Sequence, residues 1–154
     1  MQEVINLSKG QTIDLRKNSK GESVYDLSQV TIGLGWDVRQ KESGFLGKLF
    51  GGNKEEEYDL DAIAFLLDSN GKVANLGRTK QATNGQSIGL FEGDVIFFNS
   101  QKHPSGHIWL TGDNRTGAGD GDDEQIIVKL DSLDQKNQKI LFVVSIYQGR
   151  KNNQ

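Results

Sequence analysis

The chain has 154 residues, a net charge of −3 and 34% hydrophobic content. No apolar run approaches the roughly 18–20 residues that cross a bilayer, and an acidic balance is the wrong one for a nucleic-acid binder, which needs a basic face. Zero cysteines exclude a disulfide scaffold, a zinc finger and a thiol nucleophile. Nineteen glycines beside one proline point to many turns in left-handed backbone, and hence to a turn-rich all-β chain.

Met1-Gln2-Glu3-Val4 carries neither a basic region nor an apolar stretch, so no secretory signal and a cytoplasmic setting are expected. Two short strands are predicted at Val4 to Leu7 and Thr12 to Leu15, around Ser8-Lys9-Gly10. Val30, Ile32, Leu34 and Trp36 then alternate with Thr31, Gly33 and Gly35, the period-2 signature of a strand with one apolar face. From Asp59 to Leu67 both residue parities turn apolar after the first few positions, which predicts burial on both faces. Asp68-Ser69-Asn70-Gly71 follows, and Asn-Gly between strand-like runs predicts a hairpin.

Further strands are predicted at Val95 to Phe98, His107 to Thr111, Gln125 to Leu130 and Lys139 to Tyr147. The last is apolar on both faces and reads as a central strand packed on both sides. Lys41 to Glu57 and Gly77 to Gly93 lack strand periodicity and read as long loops. His103 and His107 flank a Pro104-Ser105-Gly106 turn, and Trp36 and Trp109 read as packing residues. The expected fold is a single domain over 1–154, a β-sandwich of two packed, mainly antiparallel sheets with long acidic loops at one rim.

The chemistry is concentrated between Thr111 and Glu124. Asp113, Asp120, Asp122, Asp123 and Glu124 put five carboxylates within twelve residues, against one Arg115. Such a loop repels itself unless a cation neutralises it or it stays splayed into water. Interleaved glycines let the backbone curl and turn its carbonyls inward. Carboxylates, an Asn carbonyl and backbone oxygens are the ligands of a hard divalent ion, and calcium suits them better than zinc or copper in a chain with two histidines. The loop is not an EF-hand, because Arg115, Gly117 and Ala118 stand where that motif asks for two ligands and a glycine. Asp59 and Asp61 leave one face of their strand about 6–7 Å apart, while Asp37 and Asn99 each close an apolar run. Two ions can be held if these strand ends share a rim with the loop.

Leu7-Ser8-Lys9-Gly10, Gly33-Leu34-Gly35-Trp36-Asp37, Asp59-Leu60-Asp61-Ala62 with Phe65-Leu66-Leu67, and Thr111-Gly112-Asp113-Asn114 through Gly119-Asp120-Gly121-Asp122-Asp123-Glu124-Gln125-Ile126 together resemble the TerD family of bacterial tellurite-resistance and stress proteins. The motifs occur in the family's order and span most of the chain. The resemblance implies a β-sandwich that binds calcium, here two ions, without catalytic activity. The family's ligands fall on Asp59, Asp61, Asp113, Asn114, Asp122, Asp123 and Glu124 and, less directly, on Asp37, Asn99 and Asp120. It also implies a cytoplasmic protein, peripheral to the membrane, with other resistance and stress proteins as partners at the inner membrane surface.

Two departures from the family pattern stand out: a longer 41–57 connection, and an expected C-terminus shorter than the family norm. Phe45, Leu46, Leu49 and Phe50 in that connection suggest either a partner or membrane-surface contact or, equally, a short helix folded onto the sandwich. The leading expectation is a calcium module that senses or scaffolds. One alternative is a metal-dependent hydrolase of phosphate esters, with Arg78, Lys80 and Arg115 as the cations near the acidic cluster. Another is a calcium-dependent lipid or glycan binder.

Overall fold

The computed structural model describes residues 8–17, 20–22, 26–36, 59–81, 83–85, 87–112 and 123–147. Eight strands lie within them: β1 (Val30–Leu34), β2 (Asp59–Leu67), β3 (Arg78–Gln81), β4 (Ser87–Phe91), β5 (Val95–Ile96), β6 (Ile108–Thr111), β7 (Glu124–Val128) and β8 (Lys139–Tyr147), with a single 3-10 turn at Leu130–Ser132. They form two three-stranded antiparallel sheets, β1-β7-β6 and β5-β2-β8, and a separate β3-β4 hairpin. The two sheets pack face to face, β2 against β7 and β5 against β6. The expected all-β architecture of two packed sheets is therefore observed.

Alternation in the sequence becomes alternation in burial. On β7, Glu124, Ile126 and Val128 are buried while Gln125 and Ile127 are half-buried. β6 repeats the pattern with Ile108 and Leu110 inward. The opposing layer contributes Ala62, Ala64, Leu66 and Ile96, and these eight side chains form one core. Small alanines on β2 share this core with bulkier Ile, Leu and Val of the other sheet. β1 places Val30, Ile32 and Leu34 half-buried and Thr31 and Gly33 outward.

Several expectations are corrected. Thr12 to Leu15 forms no strand; its run is short, and no described strand pairs with it. Val4 to Leu7 and the 41–57 connection lie outside the described residues. Gly77 to Gly93 is not a long loop but the β3-β4 hairpin, with a bulge between Thr79 and Lys80. It escapes the periodicity test because the hairpin stands apart from the core, so burial imposes no alternation on it. Asp68 to Gly71 does turn tightly, with Gly71 at φ 72° and the Asp68 carboxylate accepting the amides of Asn70 and Lys72. No β2-β3 hairpin follows, because β2 already has β5 on one edge and β8 on the other.

The largest correction concerns β8. Its range matches the expected Lys139 to Tyr147, yet among the described strands it stands at the edge of its sheet and not at the centre. Leu141, Phe142, Val143, Val144 and Ile146 are all exposed. An apolar two-faced pattern reports what a strand could bury, whereas strand order decides what it does bury.

Candidate metal rim

One end of the sandwich gathers the acidic strand ends. The antiparallel register sets Leu34, last residue of β1, opposite Glu124, first residue of β7, and Thr111 at the end of β6 opposite Gln125. The chain therefore leaves the β6-β7 ladder at Gly112 and re-enters it at Asp123, with residues 113–122 between these two points. Gly112 sits at φ 79°, and a Cβ there would lie 2.9 Å from the Asp123 carbonyl oxygen. Only glycine fits that neck without strain.

Asp123 clamps the neck to β1. Its amide donates to the Leu34 carbonyl at 2.9 Å, and its Oδ2 accepts the Trp36 amide at 3.0 Å. Asp37 is the next residue and lies outside the described set. Glu124 reaches across to the other sheet, where its Oε2 accepts the Ala62 amide at 2.7 Å. β5 pairs with Ala64 and Phe65, so no described strand borders the start of β2 on that edge, and a carboxylate accepts its amide there. Glu124 shares the inward row of Ile126 and Val128 and is only 2% exposed. A charge this deep is tolerated because hydrogen bonds to the charged form compensate part of its desolvation.

Asp61, beside Ala62, is also buried. Asp59, described here by its backbone, begins the same strand. Asn99 is exposed at the turn after β5, and a Cβ at Gly89 of β4 would lie 3.1 Å from its Nδ2. Asp113, Asn114, Asp120 and Asp122 lie outside the described residues. Among those described, no three His, Asp or Glu side chains are grouped to hold a metal ion. What the structure places at the base of the 113–122 segment is Asp123 and Glu124, which accept the Trp36 and Ala62 amides, with Asp61 next to Ala62 in the chain. Their donors are all oxygen, which fits a hard cation and not a soft one. Trp36 Nε1 is buried at the same rim with no hydrogen-bond partner among the described residues.

A further buried carboxylate gave no signal that the sequence reading used. Asp94, just before β5, is 1% exposed; its Oδ1 meets His103 Nε2 at 2.9 Å and its Oδ2 accepts the Asn75 amide at 3.0 Å. His103 Nδ1 accepts the Ser105 amide at 3.1 Å and lies 2.7 Å from Ser105 Oγ, so Nε2 carries the proton given to Asp94. Asp94 also exchanges backbone bonds with Asn75 and Leu66. The group ties the 75 loop and the 103–107 turn to sheet β5-β2-β8. Gly93 makes this possible, since a Cβ there would lie 2.6 Å from the Leu76 carbonyl carbon. An aspartate after a glycine, with a histidine nine residues on, was the available signal.

The carboxyls held below the usual range lie elsewhere. Arg16 lowers Asp14, first through its guanidinium hydrogen bonds and then through its amide. Ser28 lowers Asp26, through its hydroxyl and then its amide.

Comparison with known proteins bears on what this rim belongs to. The TerD domain model matches residues 3–79 and 83–154. A protein of Serratia marcescens named tellurium resistance protein TerX is 61% identical over 147 residues, covering 96% of this chain and 64% of its own length. Stress response protein SCP2 of Bacillus subtilis is 38% identical over 143 residues, covering 93% and 60%. Tellurium resistance protein TerD of Alcaligenes sp. is 36% identical over 150 residues, covering 97% and 61%. The chain thus spans less than two thirds of the length of these relatives. A family model matched along nearly the whole chain, and a relative at 61% identity, leave one conclusion: the chain belongs to the TerD family.

Proposed function

We propose that this chain is a non-enzymatic calcium-binding module of a bacterial tellurite-resistance and stress-response system, acting as a sensor or scaffold through its acidic rim. The observation that carries the reading is the pinning of the 113–122 segment at its base. Asp123 holds β1 and Glu124 holds β2, so strand ends far apart in sequence converge where ten further residues, rich in Asp and Gly, leave and return. Asp59, Asp61, Asp113, Asn114, Asp122, Asp123 and Glu124 are the proposed ligands of two calcium ions, with Asp37, Asn99 and Asp120 beside them. Bound calcium neutralises the clustered charge and orders the segment, and the ordered rim is the surface a partner reads. Other resistance and stress proteins as partners, and a cytoplasmic setting at the inner membrane surface, rest on family membership.

Thermal unfolding of chelator-stripped protein, titrated separately with calcium and magnesium, tests the reading. A ligand at 100 times its dissociation constant adds about 2.7 kcal/mol, which raises the midpoint by roughly 5–11 °C for a chain of this size. Calcium at micromolar concentration is expected to give that rise, with much less from magnesium, and to slow amide exchange across 113–122. No rise with calcium, or unchanged exchange in that segment, overturns it.

A further inference from the structure

Asp94, His103 and Ser105 form one hydrogen-bonded line from the core to the surface. The Asp94 side chain is 2% exposed and that of His103 13%, while Ser105 is exposed among the described residues. His103 Nε2 donates to Asp94 Oδ1 at 2.9 Å, and the other Asp94 oxygen is held by the Asn75 amide. The Ser105 amide, 3.1 Å from Nδ1, fixes that nitrogen as an acceptor, and Ser105 Oγ lies 2.7 Å from it. The His107 amide donates to the same Oγ at 3.2 Å, so the hydroxyl's own proton is the one directed at Nδ1. The turn holds the pair in place. Its frame is closed by the Gly106 amide on the His103 carbonyl and the His103 amide on the Ile108 carbonyl, with Pro104 in its second position and Gly106 at φ 75°.

We propose that Ser105 is an acyl-acceptor site, a serine nucleophile with His103 as its base and Asp94 as the residue that positions that base. It takes an acyl group from an activated carboxylic acid derivative such as a thioester or an acyl phosphate. Carboxylate, imidazole and hydroxyl are linked in the order of a Ser-His-Asp triad, with the two ring nitrogens exchanged. The chemistry requires only that hydroxyl and carboxylate sit on opposite nitrogens. Ser105 Oγ attacks the carbonyl carbon and its proton passes to His103 Nδ1. The bond to the leaving group then breaks as that group takes the proton from Nδ1, and no electrons change hands. The Asp94 carboxylate stabilises the imidazolium formed in between. A phosphoryl donor would need cations around its oxygens, and the 102–107 turn carries one lysine. The site stops at the ester. The amides of Ser105, Gly106 and His107 are engaged by Nδ1, the His103 carbonyl and Ser105 Oγ, so none offers an oxyanion hole. An activated donor reacts without one; the unactivated serine ester it leaves does not. One acyl group per chain is therefore transferred and retained, as a covalent mark and not as turnover.

Incubating the full 154-residue chain with p-nitrophenyl acetate in the presence of a chelator tests this. Peptide mass mapping locates the acetyl groups, and hydroxylamine, which cleaves esters and spares acetyl-lysine, identifies a serine ester. Ser105 is expected to acetylate about 10²-fold faster than Ser69, an exposed serine in a turn without a histidine, which is the acceleration a positioned base supplies. His103→Gln, whose amide still donates to Asp94, is expected to stay folded by circular dichroism and lose that advantage. Asp94→Asn should lose it too, because an amide donating to Nε2 moves the ring proton to Nδ1. Nitrophenolate release should exceed that of Ser105→Ala by about one equivalent and then stop. A purely structural line would leave Ser105 no more reactive than Ser69. Labelling of Ser105 no faster than Ser69, equal labelling in His103→Gln, or continuous release that needs Ser105 overturns the proposal. Should either variant fail to fold, the comparison of Ser105 with Ser69 in the unmodified chain decides. The chelator keeps this result separate from calcium binding, on which the proposal does not rest.

Discussion

Glu124 on β7 and Ala62 on β2 stand 62 positions apart and are joined by a 2.7 Å hydrogen bond from the Ala62 amide to Oε2. This bond crosses the two sheets at the rim where the acidic segment begins and ends. It couples the core to the candidate metal site, because Glu124 occupies the same inward row as Ile126 and Val128.

Glu124→Ala is therefore expected to lose more than a surface carboxylate would. It strands the Ala62 amide in a buried position and leaves a void, and an unsatisfied buried donor costs about 1–3 kcal/mol. Glu124→Gln keeps an acceptor oxygen and should lose less. Urea unfolding of the two variants measures the difference; equal stability of both with the parent chain would show that the bond contributes nothing.

Asp94 and His103 should behave asymmetrically. Asp94→Ala removes acceptors from both His103 Nε2 and the Asn75 amide, whereas His103→Ala removes one partner of a carboxylate that keeps the Asn75 bond. Hydrogen bonds to charged groups contribute about 1.5–3 kcal/mol each, so Asp94→Ala is expected to be the more destabilising by about one such bond. Chemical denaturation of both variants, with exchange of the Asn75 amide followed by NMR, checks the order. Faster exchange at Asn75 in Asp94→Ala, with less change in His103→Ala, is the expected outcome.

Gly112→Ala tests the neck of the acidic segment. Its φ of 79° and the 2.9 Å approach to the Asp123 carbonyl oxygen together impose about 1–3 kcal/mol of strain on any residue with a Cβ. Because the strain falls at the base of the proposed ligand segment, the midpoint rise with calcium should shrink along with the midpoint itself. Parent-like stability in Gly112→Ala would mean that the neck opens without cost.

Much of the strand pattern was legible in the residues alone. The Asp59–Leu67 and Lys139–Tyr147 strands emerge at their expected limits, since a run of alternating or continuous apolar residues is set by local chain geometry. The Val30, Ile32, Leu34 face was legible for the same reason. So was the acidic segment between Thr111 and Glu124, because charge density and interleaved glycine are properties of the chain itself.

Strand order was not legible, and it decided the rest. Apolar side chains on both faces of β8 gave it the look of a central strand; among the described strands it is the outer one of β5-β2-β8. The β3-β4 hairpin left no periodic trace, since strands standing apart from the core are under no pressure to alternate. Burial of Asp61, Asp94 and Glu124 could not be read from residue type, which favours exposure for each. It follows from long-range contacts: the amides of Ala62 and Asn75 and the ring of His103 become partners only when the sheets close. Local periodicity thus determined which segments are strands and where the acidic chemistry lies. Tertiary packing alone decided the order of the strands and which carboxylates are buried.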